Sequence, residues 1–166
     1  FMVTAGHCFT LGESIRGGTG IDWGTVTDRA GFPAKDMELI GGKTYSGFID
    51  VGDHVGTGVD IEGAGDPLVS ANYCVSGFET DESCGHEALA LNAQACGEAG
   101  CTNNLVRATD EVTDVGDSGA PFYFKTNGHY YLRGLYIGFS AANGVLDAHK
   151  WSTVRDTFDV TIVTGS

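Results

Sequence analysis

The sequence predicts an all-β protein with one carboxyl-terminal helix. Its 166 residues include 26 glycines and only 3 prolines, a balance that favours tight turns and close backbone contacts over long helices. Short apolar alternations recur along the chain, separated by Gly, Asp and Asn clusters such as GGK, GDH and TNG. Helical spacing is convincing in one segment alone, KWSTVRDTFDV, where Trp151, Val154 and Phe158 share a face.

The opening FMVTAGHCFT reads as the middle of a buried strand, not as a mobile polar terminus. Alternation then predicts strands near Met37–Ile40, Tyr45–Val51, Val55–Ile61 and Leu68–Gly77. Further strands are expected near Glu87–Asn92, Leu105–Thr109, Ala120–Lys125 and Tyr130–Ile137, with a last one in VTIV after the helix. No internal repeat, low-complexity tract or linker interrupts them. A chain of this length suits one compact unit, which buries about 70% of the surface its unfolded form exposes.

The formal charge of −13 argues against nucleic acid, whose phosphates few cations here could neutralise, and against an anionic membrane surface. No apolar run approaches the roughly 20 residues needed to span a bilayer. No basic segment precedes the apolar start as it does in a secretion signal. Five cysteines in a small acidic domain point to an oxidising compartment. Cys74 and Cys84 can bridge locally, as can Cys96 and Cys101, which flank GEAG; Cys8 is left over. Loops this short contribute about 2–3 kcal/mol when closed, in the chain-entropy account. A metal reading with His7 or His86 has no CxxC pair to support it.

The stretch richest in chemistry is DVGDSGAPFYF, from Asp114 to Phe124. A serine between glycines can sit on a tight turn with its hydroxyl exposed, while the N–H groups of Gly116 and Ser118 converge on a developing oxyanion. Alone, the stretch is equally an ordinary Gly-Asp-Ser-Gly turn. It is not a G-x-S-x-G elbow, because Ala120 stands where that motif needs its second glycine and no strand–helix unit follows. A serine needs a base and the base an orienting carboxylate. His7 in TAGHC and Asp36 in FPAKDMELI are the candidates. Singly, His7 is also readable as a satisfied core histidine and Asp36 as a strand-start residue. Together they give the chain order His, Asp, Ser, which is that of the chymotrypsin group.

TAGHC, FPAKDMELI and GDSGAP together resemble the three catalytic boxes of chymotrypsin-like serine peptidases, in particular the secreted bacterial streptogrisin and α-lytic protease branch of actinobacteria. YCVSGFETDESCG is similar to that branch's disulfide hairpin, with Cys74 and Cys84 as its pair, and the resemblance runs from Phe1 to Ser166. It implies two six-stranded Greek-key β-barrels followed by the helix. Residues 1–62 would be the remainder of the first barrel, with His7 and Asp36, and residues 63–166 the second, with the nucleophile. TAGHC lies well inside the first barrel in that family, so the chain resembles an amino-terminally truncated member whose Cys8 has lost its partner and whose signal peptide and pro-region lie upstream.

The resemblance further implies a secreted, extracellular endopeptidase that acts on polypeptides as a monomer and needs no cofactor or metal. Ser118 would be the nucleophile, His7 the base and then the acid, Asp36 the orienting carboxylate, and Gly116 with Ser118 the oxyanion donors. Val112 would form the floor of the specificity pocket, and Ile137-Gly138-Phe139 its wall, where the family has Ser-Gly-Gly. The apolar Val112 argues against a preference for Lys or Arg, although Glu111 and Asp114 are close in sequence. Several positions depart from the pattern. Phe139 stands where a glycine leaves room; Val75 stands where the branch often has an arginine to pair with Asp117; and Glu38 puts a charge on an apolar strand, as a solvated or paired side chain. The first two favour an alternative, a catalytically inactive or restricted peptidase-like binding protein. His54, His86, His129 and His149 have no motif around them and are expected at the surface or in turns, and the acidic stretch from Asp50 to Asp66 lacks calcium-loop spacing and reads as solvated turns.

Overall fold

A computed structural model describes residues 1–17, 20–51 and 58–165. The chain order opens with β1 (Met2–Thr4), β2 (Ser14–Arg16), β3 (Asp22–Ala30), β4 (Met37–Gly41), β5 (Phe48–Asp50) and β6 (Gly58–Ala64). It continues with β7 (Asn72–Gly77), β8 (Asp81–Gly97), β9 (Gly100–Thr109), β10 (Pro121–Thr126), β11 (His129–Ser140) and β12 (Val145–Lys150), and ends in α1 (Trp151–Phe158). His54, the start of the expected strand at Val55 and part of the acidic stretch lie outside the described residues.

Two sheets result. The first is four-stranded, in the order β1-β4-β3-β2. In the second, β10, β7, β8, β9, β12 and β11 follow one another and β11 pairs back onto β10, so six antiparallel strands close into a barrel. Closure leaves no open edge within that ring. The double-barrel expectation is therefore met, with the first unit present as an open four-stranded sheet. β6 adds to the barrel by parallel pairing with β11, and β5 pairs with β6. The 62/63 division expected from the sequence falls inside β6.

Local chemistry explains the hairpins. Asn127 and Gly128 both have positive φ, +50° and +81°, the requirement of the two-residue turn whose twist suits antiparallel strands. They join β10 to β11 with Thr126 opposite His129. Cys74 faces Cys84 across β7 and β8, and Cys96 faces Cys101 across β8 and β9; both pairs are disulfides.

Three apolar clusters hold the fold. Tyr73, Val75, Val106, Phe122, Tyr136 and Leu146 are among the residues filling the barrel. Ile15, Val26 and Ile40 form a smaller cluster in the first sheet. Met37 from β4, Leu135 from β11 and Trp151 and Val154 from α1 make the seam between the two, with Phe158 packed against it, so the face read from the sequence is the one α1 buries. The amino end of α1 is capped by Asp66, which accepts from Ser152 N–H at 2.8 Å and Ser152 Oγ at 2.6 Å.

Several expectations need correction. VTIV forms no strand: Val160 and Ile162 pack against the seam, and just after the segment Gly165 N–H donates to the Ile61 carbonyl of β6 at 3.0 Å. The strand expected from Leu68 starts at Asn72, after a turn in which Ser70 has φ +62°. β2, β3 and β12 were not expected. β3 carries a register shift between Val26 and Asp28 that breaks its alternation, and β12 is rich in polar residues. His149 and His86 are not surface residues: both are buried, at 0% and 3% exposure. His129 is exposed, with Glu62 as its partner.

Candidate active site

His7 stands in a turn directly after β1, closed by the bond from Cys8 N–H to the Ala5 carbonyl at 3.1 Å. Gly6 allows this turn to lie on the start of β4, because a Cβ there would come within 2.7 Å of Met37 N. That approach delivers the imidazole to Asp36. His7 Nδ1 and Asp36 Oδ2 are 2.7 Å apart, with the histidine side chain 47% exposed and the carboxylate 8%. The hydrogen bond to Asp36 raises the His7 pKa above the usual histidine value, against the lowering effect of its partial burial. Taking Nδ1 as the donor leaves Nε2 as the ring's acceptor.

Asp36 is tied from both halves of the molecule. Its backbone N–H donates to Nε2 of buried His149, 3.2 Å away on β12. Burial pushes the His149 pKa down to about 4, with Lys35 adding to the effect and Asp36 opposing it. His149 is therefore neutral at ordinary pH and able to accept. No bond reaches Asp36 Oδ1 or His149 Nδ1 among the described residues.

The loop carrying Ser118 is fastened by two buried carboxylates. Asp110 accepts from the N–H groups of Val112 and Thr113, at 3.1 and 3.0 Å, and from the Thr113 hydroxyl, which in turn accepts from the Tyr136 hydroxyl at 3.1 Å. Asp117 is 1% exposed and accepts from Glu79 N–H at 2.8 Å, Thr80 N–H at 3.2 Å, Thr80 Oγ1 at 2.7 Å and Asp114 N–H at 3.0 Å. Four neutral donors thus occupy the place where the sequence left an arginine missing. A turn of converging N–H groups can satisfy an anion as a cation does.

Gly116, between these anchors, has φ +112° and Gly119, just beyond them, φ +92°, values that L side chains rarely adopt. Neither Gly116 N–H nor Ser118 N–H meets an acceptor among the described residues. The loop abuts the His7 turn: Cys8 Sγ lies 3.7 Å from the Ser118 carbonyl, and a Cβ on Gly119 would collide with Thr4 Oγ1. No hydrogen bond joins Ser118 Oγ to His7 among the described residues; in unliganded sites such contacts are often long.

Of the expected pocket residues, Val112 is 52% exposed, on the turn beyond β9. Ile137 is buried at a register shift of β11, and a Cβ on Gly138 would point into open space. Phe139 is half-buried and packs against the barrel core. Glu38 is paired rather than solvated: it is 0% exposed, with Arg29 at 3.6 Å. Arg29, His149 and the Glu79–Thr80 turn were missed by sequence reasoning. A charge opposite Glu38 was the available signal for Arg29; nothing in sequence marked the other two.

No protein-family model and no curated sequence matches the chain. Solved structures do. A glutamic acid specific serine protease superposes with TM-score 0.80 at 24% identity, over 96% of this chain and 84% of that one. Thermobifida fusca protease A gives 0.76 at 24% identity, over 98% and 84%. Cellulomonas bogoriensis chymotrypsin gives 0.77 at 22% identity, over 98% and 85%. The fold of this chain is the chymotrypsin-like double barrel.

Proposed function

We propose that the chain is a secreted serine endopeptidase that hydrolyses polypeptides through an acyl-enzyme at Ser118. The 2.7 Å contact between His7 and Asp36 carries this reading; it is supported by the unclaimed N–H groups of Gly116 and Ser118 on the abutting loop and by the serine-protease neighbours of the fold. In the proposed reaction His7 Nε2 takes the Ser118 proton as Oγ attacks the peptide carbonyl. The two N–H groups receive the oxyanion, and His7 returns the proton to the leaving amine. Water then repeats the sequence on the ester. Asp36 holds the ring in the Nδ1–H tautomer and stabilises the imidazolium. Val112, Ile137 and Gly138 would border the substrate's side chain.

The binding-only alternative rested on Phe139 and on Asp117. Phe139 contacts the barrel core and Asp117 has a full set of donors, so no observation favours that reading. Ser118→Ala is expected to remove nearly all peptide hydrolysis, leaving about 10³–10⁴-fold over water, and to abolish labelling by a fluorophosphonate. A folded wild-type chain that neither labels nor cleaves would overturn the proposal.

A further inference from the structure

Glu38 is wholly buried, and neither of its oxygens has a hydrogen-bond partner among the described residues. Buried carboxylates are rare unless paired, and one that has a cation nearby but no hydrogen-bond donor asks for an explanation. Glu38 lies on β4 between Thr4 of β1 and Arg29 of β3, its register neighbours on the two sides. Arg29 Nη and Nε form the head of a side chain 38% exposed, and its Nε is 3.6 Å from Glu38 Oε2. The same Nε donates to the Gly6 carbonyl at 2.7 Å. Gly6 is the residue immediately before His7.

We infer that Glu38 and Arg29 are positioning residues for His7: the buried carboxylate aims the guanidinium, and the guanidinium clamps the peptide that carries the imidazole. The inference rests on the peptidase reading for its consequence in turnover, although the clamp itself does not. It gives a reason for the charge on an otherwise apolar strand. The turn at His7 is otherwise held by the Cys8 N–H bond to the Ala5 carbonyl, the Cys8 Sγ contact with the Ser118 carbonyl and the ring's own bond to Asp36, and the strand before it is three residues long. A bond at the Gly6 carbonyl stops the turn from rotating the ring away from Asp36, and displacement of a reacting group by about 1 Å costs on the order of 10²-fold in rate.

The electrostatics have opposite signs within the pair. His7 is faced by Asp36 and Glu38, which raise its pKa, and by Arg29, which lowers it. Glu38 is itself faced by Arg29, Asp36, Glu13 and the Phe9 N–H, the last without hydrogen-bond geometry, and burial raises its pKa. Removing either partner therefore loosens the same turn but moves the imidazole titration in opposite directions, so a fall in kcat common to both variants follows the turn and not the charge at His7.

The test uses the full chain with Glu38→Gln, Arg29→Met and Arg29→Lys, following the His7 imidazole titration by NMR alongside peptide hydrolysis. Glu38→Gln should lower the His7 pKa and Arg29→Met should raise it. Each should reduce kcat by about 10- to 100-fold with KM changed less than about twofold. Arg29→Lys, which keeps the charge but loses the Nε–H, should leave the titration near wild type and still lower kcat. Wild-type titration and kcat in folded Glu38→Gln and Arg29→Lys would overturn the clamp. If the wild-type chain lacks peptidase activity, that reading fails alone, because faster solvent exchange of the His7 Nδ1–H proton in folded Arg29→Lys, read by NMR, still decides the clamp.

Discussion

The first sheet and the closed barrel hold their functional residues in different ways. The barrel places Ser118 through a continuous apolar core and two disulfides, with its loop pinned at both ends by carboxylates that collect N–H groups. The four-stranded sheet has a small cluster of three buried residues beside an open apolar cavity of about 300 Å³ lined by Met2, Phe9, Ile15, Trp23 and Ile40 among others. Polar contacts hold His7 and Asp36 instead: Arg29 on the Gly6 carbonyl, the bond between His7 and Asp36, and His149, from the barrel strand β12, on the Asp36 N–H. Apolar packing fixes a position by volume, whereas one hydrogen bond fixes it only while both partners keep their protonation. Of these contacts, the one at the Asp36 N–H is released when His149 takes up a proton at low pH.

Core truncation should show the largest contrast. Leu146→Ala, in the closed barrel at 0% exposure, is expected to cost about 4–5 kcal/mol, because the ring cannot collapse around the void. Ile15→Ala borders space that is already open and should cost about 2–3 kcal/mol, mainly the lost transfer term. Urea unfolding of the two variants measures both, and equal losses would erase the distinction. The pH effect comes next. With a folded pKa of about 4 for His149 against about 6.5 unfolded, the unfolded chain binds more protons in that window. Stability contributed by neutral His149 is whole above pH 6.5 and falls by about 3 kcal/mol as pH drops to 4. His149→Asn keeps an acceptor and does not titrate, so its stability curve should be flatter than the wild-type curve, and the difference between the two should change by about 3 kcal/mol over this range. A parallel pair of curves would show that His149 is not the group responsible. Smallest is the tether of the β8–β9 hairpin. Replacing Cys96 and Cys101, 5 residues apart, by serine should cost about 2 kcal/mol in thermal unfolding, while leaving the imidazole titration of His7 unchanged.

How much of this was legible in sequence follows from what each residue depends on. Five of the six barrel strands, all but β12, and α1 announced themselves because their apolar spacing is a local property: Trp151, Val154 and Phe158 bury the face that the 3.6-residue period selects. The triad candidates were legible through three short motifs in order. Tertiary pairings were not. β3 hid behind the shift at Val26 to Asp28, and VTIV looked like a strand because packing on the seam uses the same alternation as a ladder. His149 gave no sign of burial, since its partner, the Asp36 N–H, lies 113 residues away. Asp117 was expected to need a cation, and backbone donors, which no sequence pattern displays, satisfy it instead.

β11 is the member of the fold with the most obligations. One edge serves β10; the other divides between β6 near Tyr130 to Leu132 and β12 from Gly134 onward. Its side chains join the seam at Leu135 and brace the Ser118 loop at Tyr136. A strand so heavily shared leaves little latitude for substitution along its length. The turn with exposed Val112 and Val115, moored at its ends by Asp110 and Asp117, packs little of its side-chain surface on the rest of the scaffold and is where substitution would disturb the fold least.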